Sequence, residues 1–132
     1  MSEGNLERFR RGVEAVNRGD VEAGIDVIDP DVTWEPLRRG VSGVYRGHDG
    51  IRRFFADSAE IYESMRIEYT DVRDLGDGRI LAIGKLHVRG RASGIEMEVA
   101  SAGIATYRDG LIVQWKDFGD PAAARRAAGL RD

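Results

Sequence analysis

The chain is predicted to be α+β, with helices first and a hairpin-linked antiparallel sheet after them. Three observations predict it. Apolar residues recur at steps of three and four in segments of the first half of the chain. Beyond residue 64 they alternate, in segments separated by glycine-containing turns. Helices early and strands late, with short connections, is the order of an α+β domain rather than of a parallel βαβ sheet.

Each element can be justified in turn. Leu6, Phe9, Val13 and Val16 fall on one helical face within Leu6 to Arg18, with Glu7, Arg8, Arg11 and Glu14 opposite. Gly19 ends this helix, and Asp20 caps the next by accepting a backbone N–H bond. The second helix is short: Val21, Ile25 and Ile28 form its stripe and Pro30 closes it. Asp31 to Glu35 reads as a strand with Val32 and Trp34 on one face. Pro36 to Arg46, rich in glycine and polar residues, reads as a loop. A third helix from about His48 to Glu63 carries the strongest helical repeat of the chain: Ile51, Phe54, Phe55, Ser58, Ile61 and Tyr62. Met65, Ile67 and Tyr69 alternate as a strand, and the apolar phase then slips to Val72, which predicts a bulge or a bend. Gly76-Asp77-Gly78 is a turn, Arg79 to Arg89 a long strand, and Gly90 to Gly94 a second turn. Ile95 to Arg108 is another long strand, Asp109-Gly110 a tight turn, and Leu111 to Phe118 the last strand. Pro121 to Leu130, rich in Ala and Arg, is expected to be a short helix. Nothing repeats and no linker divides the chain, so residues 1–132 are expected to form one domain.

The later strands are apolar on both sides: Ile80, Ala82, Leu86 and Val88 on one, Leu81 and Ile83 on the other. Helices are expected to cover one face and a second copy of the chain the other, as a homodimer.

Composition narrows the function classes. Hydrophobic residues make up 42% and charged residues 33%, an ordinary balance for a globular protein. A net charge of −3 argues against nonspecific nucleic-acid binding, which needs a basic footprint. The pairs Arg38–Arg39, Arg52–Arg53 and Arg125–Arg126 are too short to supply one. No cysteine is present, which excludes disulfides, thiolate nucleophiles and Cys-based metal sites. No apolar run approaches the ~20 residues that cross a bilayer. Residues 1–5 carry neither a basic leader nor an apolar core, so no signal peptide and no membrane partner are expected, and the expected setting is the cytoplasm.

Four local motifs stand in order along the chain. They are Asn17-Arg18-Gly19-Asp20, then Asp31-Val32-Thr33-Trp34, then Tyr45-Arg46-Gly47-His48-Asp49-Gly50-Ile51-Arg52-Arg53-Phe54-Phe55, and last the run from Gly110 to Asp120. In this order and spacing they resemble the nuclear-transport-factor-2-like superfamily, especially its SnoaL-like polyketide cyclase branch, over nearly the whole chain. The resemblance implies a curved sheet wrapped by helices into a cone with an internal pocket, and commonly a dimer through the outer sheet face. It does not fix a function: relatives of this fold include cyclases, isomerases, dehydratases, epoxide hydrolases and proteins that only bind or scaffold.

Strand parity offers candidates for chemistry. Lys85 and His87 share a face with Leu81 and Ile83, and Val113, Trp115 and Asp117 share a face of the final strand. If both sets face the cone, a base, an acid and a cation meet among apolar walls, where shifted proton affinities suit proton transfer. The final strand, Trp115 to Asp120, is also similar to that of limonene-type epoxide hydrolases. There an aspartate at the place of Asp117 belongs to an Asp–Arg–Asp set, and the positions of the other two are matched here by Lys85 and His87. Lysine thus stands for arginine, without its bidentate fork, and histidine for aspartate, which counts against epoxide hydrolysis; the acid–base pair of Asp117 and His87 would serve a cyclase- or isomerase-like step equally well, so a cyclase-, isomerase- or epoxide-hydrolase-like enzyme is expected. The expected roles are Asp117 as proton acceptor, His87 as donor or polariser and Lys85 as a stabiliser of developing negative charge. Trp34, Phe54, Tyr62 and Trp115 are expected to line the substrate site, and the substrate to be a small apolar or polyketide-like molecule. No cofactor is expected, and two histidines are too few for a metal site.

Each residue also has a plainer reading. Asp117 ends a strand in a salt bridge to Lys85, His87 sits on a surface strand, and the aromatic residues fill the core. Those readings together describe a binding or dimerisation module with no chemistry.

Overall fold

The computed structural model describes residues 2–37 and 43–130. Helix α1, Ser2–Asn17, buries Phe9 of the predicted stripe and half-buries Leu6, Val13 and Val16, and it also buries Ala15, which lies outside that stripe. Asn17 then uses its amide twice. Its Nδ2 donates to the Ile67 carbonyl at 2.8 Å, and its Oδ1 accepts from the Ile67 N–H at 2.9 Å. This fastens the end of α1 to strand β3, Tyr62–Asp74. Helix α2, Val21–Ile25, starts where Asp20 accepts from Ala23 N at 3.1 Å, as the sequence predicts.

Helix α2 is shorter than its apolar stripe implies. Ile28 and Pro30 belong to strand β1, Ile28–Glu35, not to a helix. The proline is tolerated because the register of β1 against the last strand shifts between Ile28 and Thr33, so its missing N–H disrupts no regular ladder. Of the segment expected to be a loop, residues 38–42 lie outside the described residues, and its end, Tyr45–Arg46, is the short strand β2. Helix α3, Gly47–Ile61, follows directly, with Ile51, Phe54 and Ser58 buried on the predicted face. The Ser58 hydroxyl donates to the Phe54 carbonyl at 2.9 Å, which satisfies a buried polar group within the helix.

Strands β4 (Arg79–Gly90), β5 (Glu96–Arg108) and β6 (Leu111–Asp117) complete the sheet, and helix α4, Pro121–Ala127, is capped by Asp120 accepting from Ala122 N at 3.0 Å. The sheet is six-stranded, open and mixed, in the order β2-β1-β6-β5-β4-β3. Its meander is antiparallel as predicted, but β1 joins β6 in parallel. A hairpin-only reading misses this pair because the two strands are far apart in sequence.

Two bulges set which residues meet. In β3 the register shifts between Tyr69 and Asp71, where the sequence shows its phase slip, so Tyr69 and Val72 both pack on the same core. In β6 the register shifts at Val113, so Ile112 joins Trp115 on one face. The β3 bulge also brings backbones close. A Cβ at Gly84 would lie 2.0 Å from the Glu68 carbonyl oxygen, so only glycine fits opposite Tyr69.

The two faces of the sheet bury different cores. Toward α1–α3 lie Ile80, Ala82, Ala105, Tyr107 and Trp115 with Phe9, Ile25 and Ile51. On the outer face Leu81, Ile83, Ala102 and Ile104 pack against Ala124 and Ala128. The second apolar face inferred from the sequence is therefore covered, over this patch, by the chain's own C-terminal helix.

Candidate functional site

Between α1–α3 and the sheet lies an apolar cavity of about 70 Å³ that opens to solvent. Phe9, Val13 and Val16 come to it from α1, Ile51, Phe54 and Phe55 from α3, and Trp34, Ile67, Tyr69 and Trp115 from the sheet. The aromatic residues form one continuous cluster. Trp34 stacks on Trp115 with ring centroids 5.7 Å apart, Trp115 on Phe9 at 6.2 Å, and Phe54 meets Phe55 edge-on at 5.0 Å. No charged side chain lines the cavity among the described residues.

The position of Trp115 is built, not incidental. Its Nε1–H donates to Asp117 Oδ1 at 2.8 Å, two residues along the same strand face, while Asp117 Oδ2 accepts from the Leu37 N–H at 3.0 Å. Across the strand pair, Gly103 stands opposite Asp117. A Cβ at Gly103 would lie 2.3 Å from Cζ2 of Trp115 and 2.6 Å from its Cη2. The room that the small residue leaves is taken by the indole of Trp115.

Lys85 and His87 are elsewhere. Register pairs Lys85 with Ala100 and His87 with Glu98, which puts both on the outer face with Leu81 and Ile83. Asp117 stands opposite Gly103 and Ala82, on the helix side. The sheet thus lies between Asp117 and the other two, and the acid, base and cation expected from the sequence do not converge. His87 instead bridges two strands. Its Nε2 is 2.9 Å from Glu68 Oε1 and its Nδ1 is 3.4 Å from Glu98 Oε1, while Lys85 Nζ is 3.7 Å from Glu98 Oε2. Arg89 extends the ladder to Glu96 and Glu63. The hydrogen bond from His87 holds the Glu68 carboxyl below its ordinary proton affinity. The alternative salt bridge of Asp117 to Lys85 is excluded by the same geometry.

Of the four residues expected to line the substrate site, Trp34, Phe54 and Trp115 border this cavity. Tyr62 does not: its N–H caps α3 at the Ser58 carbonyl, and the residue turns the chain into β3. His48 is structural, its Nε2 lying 2.8 Å from the Ile28 carbonyl oxygen and so acting as the donor. Among the described residues, no group of three or more His, Asp or Glu side chains is placed to hold a metal ion.

A family model of the SnoaL-like domain matches residues 9–115, most of the chain and all the elements that build the cavity. The chain belongs to the SnoaL-like family. No curated protein matches it by sequence. Among solved structures, a nuclear-transport-factor-2-like protein of unknown function from Burkholderia pseudomallei shares 24% identity over 93% of this chain and 95% of its own, with a TM-score of 0.82. TerC, crystallised with polyporic acid, shares 24% identity over 96% of this chain and 98% of its own, with a TM-score of 0.81. A protein with a ketosteroid-isomerase-like fold from Catenulispora acidiphila, crystallised with trimethylamine, shares 15% identity over 95% and 94%, with a TM-score of 0.75. At these identities the likeness is one of fold.

Within this SnoaL-like domain, sequence reasoning missed Val13, Val16, Ile67 and Tyr69 as lining residues. Their helical and strand periods place them on buried faces, but a period does not distinguish a face packed against atoms from one that borders a void. The Trp115–Asp117 bond had a visible signal, an indole and a carboxylate two apart on one strand face.

Proposed function

We propose that this SnoaL-like domain binds a small, neutral, largely apolar molecule in the cavity between its sheet and α1–α3. The observation that carries this reading is the lining itself: an aromatic and aliphatic enclosure with an opening to solvent and no charged side chain among the described residues. Transfer of a charged ligand into such a site would be opposed by desolvation with no compensating partner. Two proteins of the same fold crystallised with small molecules, an acid and an amine, support by analogy the binding of a small molecule but not its neutrality. Trp34 and Trp115, the two tryptophans of the chain, both border the cavity, so their emission reports on it. Titration with toluene should change that emission and move amide signals of the lining residues. Val13→Phe, which fills the space, should abolish the response while the chain stays folded. A response that survives Val13→Phe places the binding elsewhere and overturns the reading.

A second reading, acid–base catalysis of a cyclase- or isomerase-like kind, is favoured by one observation: Asp117 is hydrogen-bonded to a lining residue, Trp115. Asp117 would then be the proton acceptor without help from His87 or Lys85. Asp117→Asn, which keeps shape and removes the acceptor, should abolish turnover once a substrate is found; unchanged turnover rejects catalysis by this residue. We keep the cytoplasm as the setting, with no cofactor. We also keep a homodimer, now through the apolar side chains left exposed at the start of β5, Ile95, Met97 and Val99, instead of the patch that α4 covers.

A further inference from the structure

We propose that Asn17 governs entry to the cavity: its side-chain amide holds α1 against the edge strand β3, and a ligand passes where that seam parts. This rests on the cavity being the ligand site and adds the route by which the site is reached. Sheet topology narrows the routes. A paired ladder cannot part to admit a molecule without losing several backbone hydrogen bonds, so on the sheet side passage is left to an unpaired edge. Of the two edge strands, β2 contributes no lining residue, whereas β3 contributes Ile67 and Tyr69. The neighbour of Asn17 on α1, Val16, also lines the cavity. Val16 and Ile67 are both half-buried, so the seam between α1 and β3 has the cavity on one side and solvent on the other.

Apolar packing and a polar clamp hold the seam. Phe9 of α1 packs on Tyr69 with ring centroids 5.5 Å apart and is itself buried in the core. At the end of the helix Asn17 pairs its amide with both backbone groups of Ile67, Nδ2 donating to the carbonyl at 2.8 Å and Oδ1 accepting from the N–H at 2.9 Å. Among the described residues these are the only hydrogen bonds between α1 and the sheet. The Phe9 contact resists parting because it is buried and apolar. The Asn17 clamp is exposed, so water replaces both of its bonds when the end of α1 lifts, and the cost is that of a local opening and not of unfolding. Asparagine carries a donor and an acceptor side by side, which matches the C=O and N–H of an edge residue; alanine offers neither, and aspartate only the acceptor.

The test uses the full chain labelled with ¹⁵N, toluene as the probe, and the variants Asn17→Ala and Asp120→Ala. The second removes the cap of α4, on the far side of the sheet, and controls for general loosening. In Asn17→Ala the Ile67 amide, having lost its acceptor, should exchange with solvent faster than in wild type. Line shapes of the lining amides should show toluene associating and dissociating both about five- to thirtyfold faster, the range of two exposed hydrogen bonds, with its affinity within about twofold of wild type. Asp120→Ala should leave both rates within about twofold, since distant sites act independently. Unchanged rates in Asn17→Ala, a lower affinity in which only dissociation is faster, or equal acceleration by Asp120→Ala each overturns the inference while leaving the cavity reading intact. Toluene that moves no lining signal of the wild-type chain overturns the cavity reading and this inference with it. If Asn17→Ala does not fold, Asn17→Asp keeps the acceptor for the Ile67 N–H and removes only the donor; it should accelerate both steps about two- to tenfold, and unchanged rates there overturn the inference equally.

Discussion

Gly103→Ala should damage both the fold and the cavity, through one contact. The added Cβ would sit 2.3 Å and 2.6 Å from two ring carbons of Trp115 and 2.9 Å from the Lys116 carbonyl oxygen. Real Cβ atoms do not approach so closely, and neither obstacle is a flexible chain end: one is a buried ring tied to Asp117, the other is backbone. The indole must therefore tilt away, which breaks the 2.8 Å bond to Asp117 and disturbs the stack on Trp34. Overpacking of this kind costs about 1–3 kcal/mol. Loss of the hydrogen bond to the carboxylate adds about 1.5–3 kcal/mol if the indole finds no other acceptor. The sum is a large share of the roughly 5–15 kcal/mol that holds a domain of this size together. Urea unfolding of wild type, Gly103→Ala, Trp115→Phe and the double variant measures it as a cycle. Trp34 remains as the fluorescent reporter when Trp115 is removed. Since Phe lacks the two obstructing carbons, Gly103→Ala should cost at least about 1 kcal/mol less in the Trp115→Phe background. An alanine variant within about 0.5 kcal/mol of wild type, with its Trp115 indole signal unmoved, would refute the packing argument.

Three further outcomes are expected. Phe54→Ala, at a ring that is 1% exposed, should destabilise by about 3–5 kcal/mol, and Ile61→Ala, at a half-buried position, by about half the usual ~2–5 kcal/mol; equal costs by chemical denaturation would contradict the burial. Tyr107→Phe should leave stability at pH 7 unchanged or higher by up to about 1 kcal/mol, since the hydroxyl it removes is buried without a partner. Burial raises the proton affinity of Tyr107 in the folded chain, so above the ordinary tyrosine pKa of about 10 the unfolded chain loses its proton first and stability falls as pH rises; Tyr107→Phe should flatten that alkaline limb, and identical limbs for the two proteins would count against it. Sedimentation at micromolar concentration should show a dimer that Val99→Asp converts to a monomer, and a monomeric wild type would remove the proposed interface.

Much of the fold was legible because hydrophobic period reports burial directly. The stripe of α3 and the phase slip at Val72 both correspond to packed features of the structure. What failed did so where a local signal was overridden by a distant partner. Ile28 and Pro30 read as the end of a helix because nothing nearby marks the pairing of their strand with β6, more than eighty residues on. The site was harder. Parity correctly grouped Lys85 with His87 and Trp115 with Asp117, but it gives no absolute face. Only α4, packed against Leu81 and Ile83, shows that the first pair points away from the cavity.

That assignment of faces bears on chemistry. On the helix side, the register places Ala82 and Gly103 beside Asp117, with Ile80, Gly84, Ser101 and Ala105 as the next positions of that face along β4 and β5. A general acid or base working with Asp117 from these strands would have to occupy one of those six positions. Five are apolar or bear no side chain, and the sixth is a buried serine, which does not titrate near neutrality. Five ionisable residues of the same strands, Lys85, His87, Arg89, Glu96 and Glu98, are consumed in an ionic ladder on the opposite face. Charge and cavity have been segregated by strand parity. The side of the sheet that faces the ligand space is left with shape and aromatic surface, which are means of recognition more than of proton transfer.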